Sequence, residues 1–419
     1  MPSTLLSGAR VWDGLADEPA GPRDVLVQDD RIRQIAARVE PPLGAEVIDL
    51  GGHTLTPGFM DCHTHVTIAP GIAAMVTGSP AATALRSLPV LRTLLMNGFT
   101  TVRDLMCADV GYGVLDLRDA VGRGWIAGPR MLVAPHMISA RGGHGDFSTL
   151  LAAQYQGSPP LLELASADGC DEIRVRVRQE VRAGADWVKF AATGGFSSPG
   201  DDPGRTTYSE AEMTALVAAA ADLGVPATPH CYGDEGARRA VRAGVRSIEH
   251  ANLASAETLR MIEDAGVFVV PTQYTIINDA RNAFNEGHWR DAPAFKPRKF
   301  QRYQQALLDG AENLAASEVK IAFGTDAGMF PHGDNWREFP MMVSNGIAPA
   351  RALKAATSVA ADLLGLDDLG VLAEGRTADI IAMPGDPFTD IQATGRVDFV
   401  MKEGEVYKRP GPGTPGTGD

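Results

Sequence analysis

The sequence predicts an α/β protein: a (β/α)8 barrel accompanied by a small β-domain to which both ends of the chain contribute. Three observations carry this. Between Gly58 and about residue 355, short apolar or β-branched runs alternate with alanine-rich helical stretches. The alternations, spread over about 300 residues, match the count at which parallel strands close on themselves. The stretches on either side read as short strands instead, so the two ends are expected to pair into one β-domain.

Taken in order, the first segments are LLSGARVW, DVLVQDDRIRQIA and EVIDLGGHTLTP, with Asp29-Asp30 and Gly51-Gly52 read as hairpin turns. The barrel runs include FTTVRDL, RMLVAP, ADWVKFAA, PATPHCYG, RSIEHAN, VFVVPTQ and KIAFGTDAG. Between them, EIRVRVRQEVRAG, EAEMTALVAAAADLG and DEGARRAVRAG have helical texture and end in glycine, as a left-handed C-terminal position requires. ADIIAMPGDPF and RVDFVMKEGEVYKRP return to strands. The division is therefore 1–57 plus 356–410 for the β-domain, 58–355 for the barrel, and a Gly/Pro tail, 411–419, expected to be disordered. A doubly wound open sheet would call for GxGxxG after its first strand, and that motif is absent there.

Composition narrows the function classes. Of 419 residues, 38 are Lys or Arg and 52 Asp or Glu, a formal net charge of −14 that disfavours nucleic acids and anionic membranes as partners. No apolar stretch approaches the roughly 20 residues of a spanning helix. The start, MPSTLLSGARVWDG, lacks a basic region followed by a long apolar one, so a cytoplasmic location is expected. The four cysteines show no CxxC spacing and read as free thiols. A small-molecule substrate and a homo-oligomeric assembly are the expected partners.

The chemistry begins at TPGFMDCHTHV, where Asp61, His63 and His65 fall at every second position. Strand side chains alternate faces, so all three point one way, and neutral imidazole is a ligand for zinc and related metals. Cys62 then faces outward, as does Cys231 beside His230. Barrel chemistry comes from the carboxyl ends of strands. Read that way, the runs above offer Lys189 in DWVKFAA, His230 in ATPHCYG, His250 in SIEHAN and Asp326 in FGTDAG. Lys189 is the odd member, because an ammonium repels a metal. A buried lysine can shed its proton, and the neutral amine can add carbon dioxide to give a carbamate able to bridge two metals.

In this order, PGFMDCHTH, VKF, HCYG, EHAN and GTDAG resemble the amidohydrolase superfamily over nearly the whole chain. The resemblance implies a distorted (β/α)8 barrel of the TIM type with a β-sandwich domain built from both termini. It implies two Zn2+ or similar divalent ions: His63, His65 and Asp326 on the more buried one, His230 and His250 on the other. N6-carboxylated Lys189 would bridge them. ISARGGHGD, TGGFSSPGD, GTDAGMFPHGDN and ALKAATSVAADLLG look like the prolidase-type branch, which includes ochratoxin-degrading amidases.

The implied reaction is hydrolysis of a dipeptide or N-acyl amino acid by a hydroxide shared between the metals, with Asp326 as base. His144 is the expected oxyanion or carboxylate contact, His136 the second choice, and Tyr232 a contact for the substrate carboxylate. Phe196, Ile277 and Phe330 are expected as apolar walls. A cyclic-amide hydrolase of the hydantoinase or imidazolonepropionase kind is the alternative. A barrel serving only as an assembly protein would have lost metal ligands, and all six positions are kept here.

Overall fold

Gly58 stands where the β-domain gives way to the barrel, and contact dictates it: a Cβ there would lie 2.2 Å from Thr100 Oγ1. The β-domain therefore feeds the first barrel strand directly, without a linker. A computed structural model describes residues 3–68, 78–107, 111–150, 152 and 165–411. The 412–419 part of the expected disordered tail lies outside these.

Strands β1 (Ser3–Val11), β2 (Ala20–Gln28), β3 (Arg31–Ala36), β4 (Glu46–Asp49) and β5 (His53–Pro57) precede the barrel. The barrel strands are β6 (Phe59–Thr64), β7 (Phe99–Asp104), β8 (Arg130–Val133), β9 (Met137–Ile138), β10 (Val188–Ala191), β11 (Ala227–Gly233), β12 (Ser247–Leu253) and β13 (Phe268–Val270). Then come β14 (Ile380–Pro384), β15 (Phe399–Lys402) and β16 (Glu405–Lys408).

One eight-stranded sheet joins the two ends of the chain in the order β16-β15-β14-β5-β1-β2-β3, with β4 beside β1. The Asp29-Asp30 turn closes the β2–β3 hairpin as expected, with Gln28 opposite Arg31. The Gly51-Gly52 turn does not close a hairpin. Both β4 and β5 pair with β1 in parallel, at Thr4–Ser7 and Arg10–Val11 respectively, so they run in series along one neighbour. The sheet also curls. Ile32 N donates to Arg376 O at 2.9 Å and Gly375 N to Ile32 O at 2.8 Å, so β3 meets the segment leading into β14. Those strands stand four places apart in the sheet, roughly 19 Å if it were flat. Its inner face holds Leu6, Val25, Val27, Ile380 and Phe399, all buried.

In the barrel, β6–β8 and β9–β13 form two parallel sheets. Two irregular joints complete the ring. β8 and β9 are halves of one interrupted strand: Trp187 N reaches Val133 O at 3.2 Å, just ahead of β10. The eighth strand is residues 320–327, held without a regular ladder. Ala322 N donates to Val269 O at 2.9 Å on one side, and Cys62 N to Phe323 O and His65 N to Ala327 O at 2.8 Å on the other. Sequence reading took KIAFGTDAG as a plain strand; Gly324 shows why it is not. A Cβ there would sit 2.2 Å from Val270 Cγ1 and 2.9 Å from His63 Cβ. The close approach admits no side chain at Gly324, and the strand leaves the extended conformation at Asp326, where φ is 62°. Among the described residues, no helix is long and apolar enough to cross a membrane.

The helix Glu338–Ser344 locks this joint from outside. Phe339 packs on Phe323 and Phe59, with ring centroids 4.3 and 4.8 Å apart. Beside it, Glu338 is fully buried and accepts from Gln273 N at 2.7 Å and Tyr274 N at 2.6 Å, pinning the loop after β13. Burial pushes the Glu338 carboxyl up to about 8, although those two amides pull the other way. An acid raised on folding contributes stability that is full below its unfolded value of about 4.5 and lost as pH rises through 8. Wild type should therefore lose more unfolding free energy between about pH 5 and about pH 9 than Glu338→Gln. Denaturant titrations at the two pH values check this; parallel pH profiles would contradict it.

Candidate metal centre

The carboxyl ends of the barrel strands bring six predicted residues to one place. His63 lies in β6 with His65 just beyond it, Lys189 in β10, His230 in β11, His250 in β12, and Asp326 on the eighth strand. All six are buried. Asp326 Oδ1 lies 3.0 Å from His65 Nε2 and 3.5 Å from His63 Nε2. Ligand atoms of His63, His250 and Asp326 fall within 4.8 Å of one another. The His230 and His250 rings follow, 4.6 Å apart between centroids. The backbone is bent to achieve this. His250, Ala251, Thr272 and Asp326 have φ of 73°, 55°, 46° and 62°, four of the seven non-glycine residues with positive φ among the described residues. Such conformations cost on the order of 1–3 kcal/mol each and cluster at functional sites.

Each imidazole is oriented from behind. His63 Nδ1 donates to Glu249 Oε2 at 2.8 Å, and His65 Nδ1 to Met106 O at 3.3 Å, leaving both Nε2 lone pairs for the centre. His230 is turned the other way: its Nε2 faces Gly194 O at 3.3 Å, so Nδ1 is the free atom. His250 Nδ1 pairs with Thr272 Oγ1 at 2.8 Å. Asp61 is not grouped with the ligands. It accepts from Thr325 Oγ1 at 2.7 Å and Thr325 N at 3.1 Å, fixing the residue before Asp326. Burial pushes its carboxyl up to about 7.

Sequence reading missed Glu249 and its partner Arg103. Glu249 Oε1 accepts from Arg103 Nη2 at 2.7 Å, Thr228 Oγ1 at 2.6 Å and Ser247 Oγ at 3.0 Å, with Arg103 also 4.4 Å from the Trp187 ring centroid. The signal was available. In SIEHAN the charged residue next to His250 points to the barrel interior one layer below the ligands, where a buried charge demands a partner.

The electrostatics fit a metal. Burial, with help from neighbouring positive groups, holds His63 and His230 well below the usual imidazole range and His250 at about 3, so these rings favour the neutral, ligating form. Burial lowers His65 too, but Asp326 outweighs it and raises the group. Burial alone would raise Asp326; His65, His63 and His250 outweigh it and hold the carboxyl well below its ordinary range. Lys189 provides the direct test of fit. Its Nζ is buried with no hydrogen-bond partner among the described residues, and burial lowers it to about 8. An orphaned amine costs free energy where it stands, unless something held at the centre partners it.

Other predicted residues are sorted by the structure. Tyr232 stacks on His250 with centroids 4.6 Å apart, and its hydroxyl bonds to none of the described residues. His144 stacks on His230 at 4.1 Å, with Nδ1 2.7 Å from Ser198 Oγ. His136 belongs to a different cluster: its Nδ1 faces both Glu180 oxygens at 3.1 Å and its ring abuts Tyr112. A carboxylate anchored in the Gly169–Ala183 helix sets its direction. Phe196 and Ile277, expected as pocket walls, are buried packing residues; Phe330 is half-buried beside Tyr274. His332 had no expected task and contacts His65 O at 3.1 Å. Cys62 and Cys231 form no disulfide and are packed into hydrophobic clusters.

This barrel, with its ring of histidines, a lysine and an aspartate, defines a class that comparison with known proteins makes explicit. The chain belongs to the amidohydrolase family, whose model matches residues 54–407. It is 31% identical to ochratoxinase from Aspergillus niger over 387 residues, 86% of this chain and 76% of that one. The fold is similar to a Xaa-Pro dipeptidase with methionine bound in its active site: TM-score 0.89, 32% identity, covering 97% of this chain and 100% of that one. It is also similar to a prolidase complexed with N-methylphosphonate-L-proline: TM-score 0.85, 32% identity, 97% and 100% covered. The protein is thus a hydrolase that acts on amide bonds.

Because Glu249 fixes His63 with its proton on Nδ1, Glu249→Gln should weaken divalent-metal binding, probed with zinc, by about 10–100-fold. Competition against a chelator of known affinity, with apo protein reloaded with zinc, measures this. Unchanged affinity in a folded variant would remove Glu249 from the centre.

Proposed function

We propose that the protein is a binuclear metal-dependent amidase that hydrolyses dipeptides or N-acyl amino acids, ochratoxin A-type amides included, next to a free α-carboxylate. The observation that carries the reading is Lys189: a buried, unpartnered amine surrounded by imidazoles held neutral. Adding carbon dioxide to its Nζ, with loss of one proton to water, gives a carbamate anion with two oxygens. His63, His65 and Asp326 would hold one ion, His230 and His250 the other, with that carbamate between them. Bound divalent ions would activate a water and polarise a carbonyl.

The remaining work belongs to the chain. Asp326 is the proton carrier: Oδ1 faces the two imidazoles of β6, and Oδ2 is left to take a proton from the attacking water and return it to the leaving amine. Tyr232 and His144 flank His250 and His230 and present a hydroxyl and an imidazole edge to an anion. Tyr232 is the contact for the substrate carboxylate, and His144 faces the carbonyl side. The prolidase with N-methylphosphonate-L-proline, a ligand built on an amino acid, and the similarity to ochratoxinase both support an amide bearing a carboxylate.

Matched substrates carrying a free or an amidated α-carboxylate, assayed with wild type and Tyr232→Phe, test the reading. Wild type should prefer the free acid by about 10-fold or more, the usual worth of a charge-assisted hydrogen bond. Tyr232→Phe should lose most of that preference. Equal rates on both substrates, or preference for a hydantoin, would reject the reading and favour a cyclic-amide hydrolase.

A further inference from the structure

The TGGFSSPGD loop, which follows β10, touches the metal centre through Gly194 O on His230, and its far end is tied to His144 and to a distant helix. Ser198 Oγ donates to Asp201 Oδ1 at 2.6 Å, and His144 Nδ1 lies 2.7 Å from the same Ser198 oxygen. Asp201 Oδ2 lies 3.6 Å from His144 Nδ1 and accepts from Gly195 N at 3.1 Å. From the distant helix Phe295–Ala316, Lys299 spends all three Nζ hydrogens on this loop: Asp201 Oδ1 at 2.8 Å, Gly195 O at 2.7 Å and Ser198 O at 2.6 Å. The backbone also presses on the ring, since a Cβ on Gly195 would come within 2.3 Å of His144 Cε1.

Hydrogen counting gives the chain a direction. Burial would raise Asp201, but His144, Lys299 and Ser198 outweigh it and hold the carboxyl down at about 2. An ionised carboxylate has no hydrogen to give, so the single hydroxyl hydrogen of Ser198 goes to Asp201. Ser198 Oγ must then accept from His144, which places that proton on Nδ1. The order also excludes a serine nucleophile. In a Ser-His-Asp triad the imidazole lies between serine and carboxylate and takes the hydroxyl proton; here the serine is the middle member. His144 Nε2 makes no hydrogen bond to the described residues.

We propose that Ser198, Asp201 and Lys299 are positioning residues: they hold His144 with its Nδ1–H turned to Ser198, flat against His230, so that the Nε2 edge is the one offered to the substrate. This rests on the reading that His144 meets the substrate. None of the three touches the reacting bond, and each acts through His144.

The test uses the metal-loaded full chain in a double-mutant cycle. Asp201→Asn should lower kcat/KM on an N-acyl amino acid by about 10-fold or more in the wild-type background and by less than about 2-fold in a His144→Gln background. Ser198→Ala leaves Lys299 its backbone acceptors and should show the same dependence, which keeps the test open should Asp201→Asn fail to fold. Equal losses in both backgrounds would overturn the proposal, since a loop that merely needs support does not depend on His144. Nitrogen-15 spectra of histidine-labelled protein add a readout independent of turnover. The resonance pair lost in His144→Gln should show Nδ1–H in wild type and lose that state in Ser198→Ala. A ring protonated only on Nε2 in wild type would overturn the proposal by itself. Absence of any amide hydrolysis by wild type would instead reject the proposed function, and the spectra would still decide the tautomer.

Discussion

A single carboxylate, Glu249, is bonded from four barrel strands. His63 reaches it from β6, Arg103 from β7, Thr228 from β11, and Ser247 lies with it on β12. All of these groups are buried, so the pair of charges is out of water and depends on its hydrogen bonds. Removing one partner of such a pair costs on the order of 3–5 kcal/mol. The layer ties the barrel floor to the orientation of the first histidine above it. The same arrangement that links these four strands across the barrel therefore fixes an imidazole lone pair at its mouth.

The rest of the centre follows the same logic of support from behind. Asp61 grips Thr325 and so presents Asp326, Thr272 holds His250, and the loop after β10 places Gly194 O against His230. Glu338 pins the first turn of the helix Gln273–Arg281, directly after Thr272. The strained φ values at His250, Thr272 and Asp326 are tolerated because these bonds over-determine each position. Two layers of polar residues beneath the histidines do what one layer of apolar side chains would not: they fix which nitrogen of each ring faces the middle of the cluster.

The sequence shows which residues meet, because strand ends in a barrel converge, so a His, Lys or Asp closing an apolar run is already placed. His63, His65, Lys189, His230, His250 and Asp326 were legible on that ground. Residues that work through geometry between distant segments were not. Lys299 lies in a helix about a hundred residues from Asp201, and nothing local marks the pairing. His136 shows another such pairing: Glu180, which orients its Nδ1, lies 44 residues away in a helix, and nothing local marks it. The Gly51-Gly52 turn misled because a glycine pair permits a reversal without requiring one. Parallel pairing of both flanking strands to β1 decided the outcome.

The central claim is that the unpartnered Lys189 amine is completed as a carbamate between two metal ions. Protein loaded with zinc in carbon-13 bicarbonate, then studied by carbon-13 spectroscopy and elemental analysis on one sample, tests it most directly. A carbamate carbon signal that is absent in Lys189→Ala is expected, together with two ions per chain. An active protein with no carbamate signal, or with a single ion, would contradict it.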